Sequence, residues 1–208
     1  MAYRINNNLT FIHLPKNAGT SISQWIEQNT NYQYDGQRHQ HISALPLDWQ
    51  DNVFCVVRNP YHRAVSWYYF IQQMLNKKAI RKENASFILP QLEILQEGFE
   101  KFVSVYFNYV FTKSKFRNAS HVMTLKSIAQ NNFVGDDFKG IVIRYENIHQ
   151  DWKIVQDIVG CHTPLPVTNT TNYGSTSNWK KIYTSESKRA VSRLYKKDIE
   201  LFGYSFTD

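Results

Sequence analysis

The residues Leu14-Pro15-Lys16-Asn17-Ala18-Gly19-Thr20-Ser21 stand between an apolar run and a helix-like segment. That placement suits the binding of an anion. A loop feeding a helix N-terminus offers backbone N–H groups that lack intrahelical partners, at the positive end of the helix dipole. Gly19 lets the backbone approach an anion closely. Thr20 and Ser21 add hydroxyl donors, and Lys16 adds a mobile positive charge. Together these are expected to hold a terminal phosphate. The wording is not that of a Walker A loop, in which Lys directly follows the second Gly of G-x-x-x-x-G-K-[ST]. Here Lys16 precedes Gly19 by three residues, and Pro15 takes a place where glycine would be expected.

A second constellation follows the next apolar run, Val53-Phe54-Cys55-Val56-Val57. Arg58 stands at its C-terminal end, the edge at which open α/β sheets bind ligands. A nucleotide kinase would want a Mg²⁺-holding acid there. Asn59 suits a helix N-cap and Pro60 the first helical turn. On the helix they open, Asn59, Arg63 and Ser66 fall on or near one face. Arg58 and Ser66 are placed to clamp a second phosphate, Arg58 through a bidentate contact.

Between the two lies Arg38-His39-Gln40-His41-Ile42-Ser43. An imidazole titrates near neutral pH, so His41 or His39 suits the removal of a proton from a hydroxyl group. Two histidines are too few for a metal centre, and no metal site is read. His13 is expected to pack within its strand. His62 and His121 are assigned to core or surface, and Glu146 to structure.

The two phosphate constellations, together and in this order, resemble the sulfotransferase superfamily that uses 3′-phosphoadenosine 5′-phosphosulfate (PAPS). Phe11 through Ser21 is similar to its 5′-phosphosulfate loop, and Val56 through Tyr68 to its 3′-phosphate element. The Pro-Lys-Asn-Ala-Gly-Thr wording resembles the carbohydrate, Golgi-type branch. His39-x-His41 is similar to the element that carries the candidate base of the heparan sulfate 2-O-sulfotransferases. The likeness continues in Ile143 through Ile148 and from Trp179-Lys180-Lys181 to Phe202-Gly203-Tyr204, and is thinner between 77 and 135.

The resemblance implies that Lys16, Asn17, Ala18, Gly19, Thr20 and Ser21 hold the 5′-phosphosulfate, and Arg58 and Ser66 the 3′-phosphate. It implies that Lys180 or Lys181 covers the nucleotide. His41 or His39 would be the catalytic base, with Lys16 steadying the leaving phosphate. PAPS would be the co-substrate and 3′-phosphoadenosine 5′-phosphate (PAP) the product. The acceptor would be a hydroxyl, expected on a glycan or other anionic molecule. The chain is shorter than those 2-O-sulfotransferases and shows no membrane anchor, which leaves the acceptor open. Two rival readings are a P-loop nucleotide kinase and a non-catalytic glycan-binding relative.

The elements that must position these residues follow from periodicity. Leu9–His13 reads as a strand and Thr20 to about Gln28 as a helix with Ile22, Trp25 and Ile26 on one face. Residues 29–50 read as loop with short pieces. Val53–Val57 and Gly140–Tyr145 read as strands buried on both faces, the pattern of a parallel sheet. Helices are expected over 60–76, 90–107, 148–159 (closed by Gly160) and 185–201. Strand, loop and helix in repetition imply an α/β fold: P-loop-like, three-layered, with a central parallel β-sheet flanked by helices, in one domain spanning 1–208.

Composition sets the outer limits. The 208 residues are 42% apolar and carry a net charge of +7. A basic balance favours anionic partners. The charge lies in short clusters at Lys77–Lys82, Lys113–Arg117 and Lys180-Lys181, with no run of five, so no nucleic-acid tail is read. Cys55 and Cys161 make no disulfide framework. No signal segment or membrane span is seen, so a cytoplasmic location is expected, with the sequons at Asn8, Asn84, Asn118 and Asn169 unused. The sequence fixes no oligomeric state.

Overall fold

Residues 2–36, 40–76, 97–105, 129–168 and 176–208 are described by the computed structural model. His39, His121, the basic clusters at 77–82 and 113–117, and most of the helix expected over 90–107 lie outside them. In chain order the strands are β1 (Ala2–Ile5), β2 (Leu9–Ile12), β3 (Tyr32–Tyr34), β4 (Val53–Val57) and β5 (Ile141–Arg144). The helices are α1 (Gly19–Asn29), α2 (Pro60–Asn76), α3 (Phe99–Val105), α4 (Asn131–Val134), α5 (Ile148–Val159), α6 (Ser185–Leu194) and α7 (Lys196–Phe202). Short 3-10 turns occupy Ile42–Ala44, Leu47–Trp49, Tyr145–Asn147 and Thr176–Ile182. The chain gathers into two compact units: Met1–Asn59 with Gln130–Thr170, and Pro60–Ala129 with Thr171–Asp208.

The first unit carries a five-stranded sheet in the order β3-β1-β2-β4-β5. Its β2, β4 and β5 are parallel, with Phe11 beside Phe54 and Val56 beside Ile143. The expected parallel sheet is present in these three strands, and the sheet as a whole is mixed, because β1 runs antiparallel to both β2 and β3. Only Asn6, Asn7 and Asn8 separate β1 from β2, too few residues for a parallel crossover. Asn6 and Asn7 are left-handed (φ 48° and 56°), which asparagine tolerates better than most residues.

Side chains alternate across the sheet, so Tyr3, Ile5, Leu9, Phe11, Phe54, Val56 and Ile143 line one face. Ile22, Trp25 and Ile26 of α1 and Ile148, Trp152 and Val155 of α5 pack against them. The Trp25 and Trp152 rings meet edge to face, 5.0 Å between centroids. Trp25 Nε1 donates to the Thr163 carbonyl at 2.7 Å. A buried Trp of this kind contributes about 3–5 kcal/mol relative to Ala. The strand expected at 140–145 is not buried on both faces. As the edge strand β5 it buries Ile143 and leaves Val142 exposed. Gly160 closes α5 as expected, left-handed at φ 74°, its N–H donating to the Gln156 carbonyl at 2.8 Å.

The second unit is helical among its described residues. Tyr61, Ala64, Val65 and Tyr68 of α2, Phe99, Phe102 and Val103 of α3, and Val191 and Tyr195 form its core. Two expected helices are broken. Gly98, left-handed at φ 95°, interrupts the helix expected over 90–107 just before α3. The helix expected over 185–201 divides into α6 and α7 at Tyr195, whose φ −104° and ψ 29° leave the helical range. Tyr195 is buried below the Arg63 guanidinium, 6.0 Å from its ring centre. Arg63 itself is fully buried, within electrostatic reach of the buried Asp198. Desolvation pushes its pKa down, while Tyr195 and Asp198 pull it back up. Among the described residues no helix is long and apolar enough to cross a membrane.

Candidate active site

The loop from Leu14 to Ser21 joins β2 to α1 inside the first unit. Lys16 (φ 70°) and Ala18 (φ 59°) are left-handed although neither is glycine, and Asn17 between them is not. Such a residue costs about 1–2 kcal/mol. Backbone that alternates in hand is also the pattern that gathers successive N–H groups into an anion-binding nest. Ala18 supplies no side-chain cap to α1, and the first turn carries no acid. The N–H groups there suit an outside anion.

Side chains from distant elements hold the loop in this shape. Asn17 is 1% exposed. Its Nδ2 donates to the Val56 carbonyl at 2.7 Å and to Gln130 Oε1 at 2.6 Å. Gln130, fully buried at the N-cap of α4, also accepts the Arg58 backbone N–H at 2.8 Å. Its Nε2 donates to the Arg58 carbonyl at 2.9 Å. Arg58 in turn donates from Nη1 to the Lys16 carbonyl at 3.2 Å. Its guanidinium lies 4.1 Å from the ring centre of Tyr145, a cation–π contact. Glu146 Oε1 accepts the Asn59 N–H at 2.8 Å.

Gly19 has its own constraint. His13, buried at the end of β2, stacks on Phe11 and covers the position where a Gly19 side chain would start. Thr20 is exposed. Ser21 is 6% exposed, and its Oγ lies 2.8 Å from Thr168 Oγ1 and accepts the Thr168 N–H at 3.2 Å.

The structure thus brings Lys16, Asn17, Ala18, Gly19, Thr20, Ser21 and Arg58 together in one unit. His41 belongs to that unit too, as cap of the Ile42–Ala44 turn, which packs against α4. Its Nδ1 accepts the Ser43 N–H at 3.1 Å and lies 2.7 Å from Ser43 Oγ. The backbone N–H directed at Nδ1 calls for a lone pair there, which puts the proton of the neutral ring on Nε2. Ser66, Lys180 and Lys181 belong to the second unit. Ser66 is half-buried on α2. Lys180 Nζ donates to the Thr207 carbonyl at 2.6 Å and lies 5.4 Å from the Trp179 ring centre. Lys181 is exposed. His62, stacked on Trp179 at 5.4 Å, helps to seat that turn.

Three residues near the loop escape any reading of spacing: Gln130, Tyr145 and Thr168. Gln130 is 113 residues from Asn17 and 72 from Arg58, in a stretch with no clear period. A family model described as the sulfotransferase family matches residues 3–205. No curated protein and no solved structure matches the chain.

Proposed function

The chain belongs to the sulfotransferase family, and on that ground we propose that it moves a sulfuryl group from PAPS to a hydroxyl group of a carbohydrate. The observation that carries the reading is the loop between β2 and α1, left-handed at Lys16 and Ala18 and braced to the end of β4 through Asn17 and Arg58. A loop so held is P-loop-like in its use, though it lacks the Walker lysine. The uncapped, acid-free start of α1 fits an anionic group.

In this reading Lys16 and the N–H groups of Ala18 to Ser21 hold the 5′-phosphosulfate. Arg58 and Ser66 hold the 3′-phosphate, and Lys180 or Lys181 covers the nucleotide. PAPS supplies the sulfuryl group: a bond forms from the acceptor oxygen to sulfur, and the bridge from sulfur to the 5′-phosphate breaks. Lys16 and the helix N-terminus stabilise the charge that builds on the departing phosphate oxygen. His41, or His39, takes the proton of the acceptor hydroxyl. To do so His41 must present a lone pair at Nε2, which requires its proton on Nδ1, facing Ser43 Oγ. The net charge of +7 supports an acidic or already sulfated glycan as acceptor.

Calorimetry with PAP, set against ATP with Mg²⁺, tests the donor. Binding of PAP is expected; binding of ATP with Mg²⁺ and none of PAP would overturn the reading in favour of a kinase. Transfer of radiolabelled sulfate onto a glycan panel then tests the acceptor. Label on no glycan but on a phenol or a tyrosyl peptide would overturn the carbohydrate part.

A further inference from the structure

We propose that Gln130 is a positioning residue that sets the spacing between the two phosphate-binding segments, so that a ligand with two phosphates is favoured over one with a single phosphate. This rests on the sulfotransferase reading above.

The argument begins with Arg58. It lies one residue beyond β4, where strand pairing ends. Gln130 bonds both its N–H and its carbonyl, the two-point contact that a neighbouring strand normally supplies. One side-chain amide therefore holds the backbone of the residue assigned to the 3′-phosphate. The same Oε1 accepts Asn17 Nδ2 at 2.6 Å. Asn17 sits between the two left-handed residues of the loop assigned to the 5′-phosphosulfate. Gln130 thus bonds Asn17 in one segment and both backbone groups of Arg58 in the other, alongside the direct bonds from Asn17 to Val56 and from Arg58 to Lys16.

Its chemistry allows a single orientation. Oε1 meets two donors and Nε2 meets a carbonyl, and a flipped amide would set N–H against N–H at two places. The residue is fully buried, and a buried amide is stable only when its partners are in place. Two anion sites held at fixed spacing gain from binding one bridging ligand, since the second contact becomes intramolecular. Loosening the spacing leaves each site able to bind alone and removes that gain.

Gln130→Met keeps the side-chain length and deletes the bonds to Asn17 and to the Arg58 N–H and carbonyl. Calorimetry on the full chain with PAP and with 5′-AMP reads the effect. PAP affinity is expected to fall about tenfold while 5′-AMP affinity changes by less than about threefold. Equal loss for the two ligands, as general loosening would give, overturns the proposal, and so does no loss for either. Should circular dichroism show Gln130→Met unfolded, Gln130→Asn, which keeps the amide but is one methylene too short to reach both segments, carries the same expectation and the same contrary results. Wild-type chain that binds neither PAP nor 5′-AMP would overturn the sulfotransferase reading and this proposal with it.

Discussion

The His13 imidazole fills the space that a β-carbon on Gly19 would need: such a carbon would lie 1.8 Å from His13 Nε2. Gly19 opens α1, and its φ is not left-handed, so it is the neighbouring ring and not the backbone that demands glycine. Gly19→Ala is therefore expected to displace His13 and destabilise the chain by about 1–3 kcal/mol. Truncating the ring relieves the clash, so His13→Ala combined with Gly19→Ala should lose less than the sum of the two single changes. Urea unfolding of the four proteins of this cycle checks it; strict additivity would disprove the contact.

This pair also marks how far the sequence could be read. Apolar runs located β2 and β4, because both faces of each are buried and every residue in them is apolar or nearly so. They did not locate β3, whose three residues are all exposed and which is held by backbone pairing to β1. The left-handed turn at Asn6 and Asn7, which makes the sheet mixed, contains no glycine to announce it. In the site, the loop and Arg58 were legible because each follows a strand within a few residues. Gln130 was not, since its role depends on a fold that brings it across more than a hundred residues to Asn17. The left-handed Lys16 and Ala18 were hidden for a related reason: such strain persists only where the surroundings impose it.

Arg58 offers a direct test of the nucleotide contact. Arg58→Ala removes the bond to the Lys16 carbonyl, the contact on Tyr145 and the charge proposed to meet a phosphate. PAP affinity is expected to drop by about tenfold to a hundredfold, the range of a lost charge-assisted hydrogen bond. Arg58→Lys should recover only a small part, because an ammonium lacks the planar fork and stacks poorly on Tyr145. Calorimetry checks both, and wild-type affinity in Arg58→Ala would remove Arg58 from the phosphate site.

The second unit gives a prediction about stability alone. Arg63 and Asp198 are both fully buried, and each acts on the other electrostatically beside Tyr195. Asp198→Ala leaves a guanidinium buried without its counter-charge, a change that typically costs about 3–5 kcal/mol. Replacing both, Arg63→Met with Asp198→Leu, removes the stranded charge and should be markedly more stable than Asp198→Ala alone. Denaturant unfolding orders the variants; an Asp198→Ala protein as stable as wild type would show that the pair contributes nothing to the unit.

His41 can be examined through its neighbour Ser43. The Ser43 N–H points at Nδ1, which favours the tautomer with the proton on Nε2, while Ser43 Oγ at 2.7 Å is the group that could accept a proton placed on Nδ1. Only the second arrangement leaves Nε2 able to take a proton from an acceptor hydroxyl. Ser43→Ala deletes that Oγ and keeps the N–H, so it biases the ring toward the form that cannot act as base. Its kcat is expected to fall about tenfold with PAP affinity unchanged. His41→Ala should lower kcat by at least about a hundredfold, again without effect on PAP. Steady-state sulfate transfer and calorimetry together separate the outcomes. Full turnover in His41→Ala removes His41 as the base and transfers the role to His39. Low turnover in His41→Ala beside full turnover in Ser43→Ala keeps His41 and discards the tautomer argument.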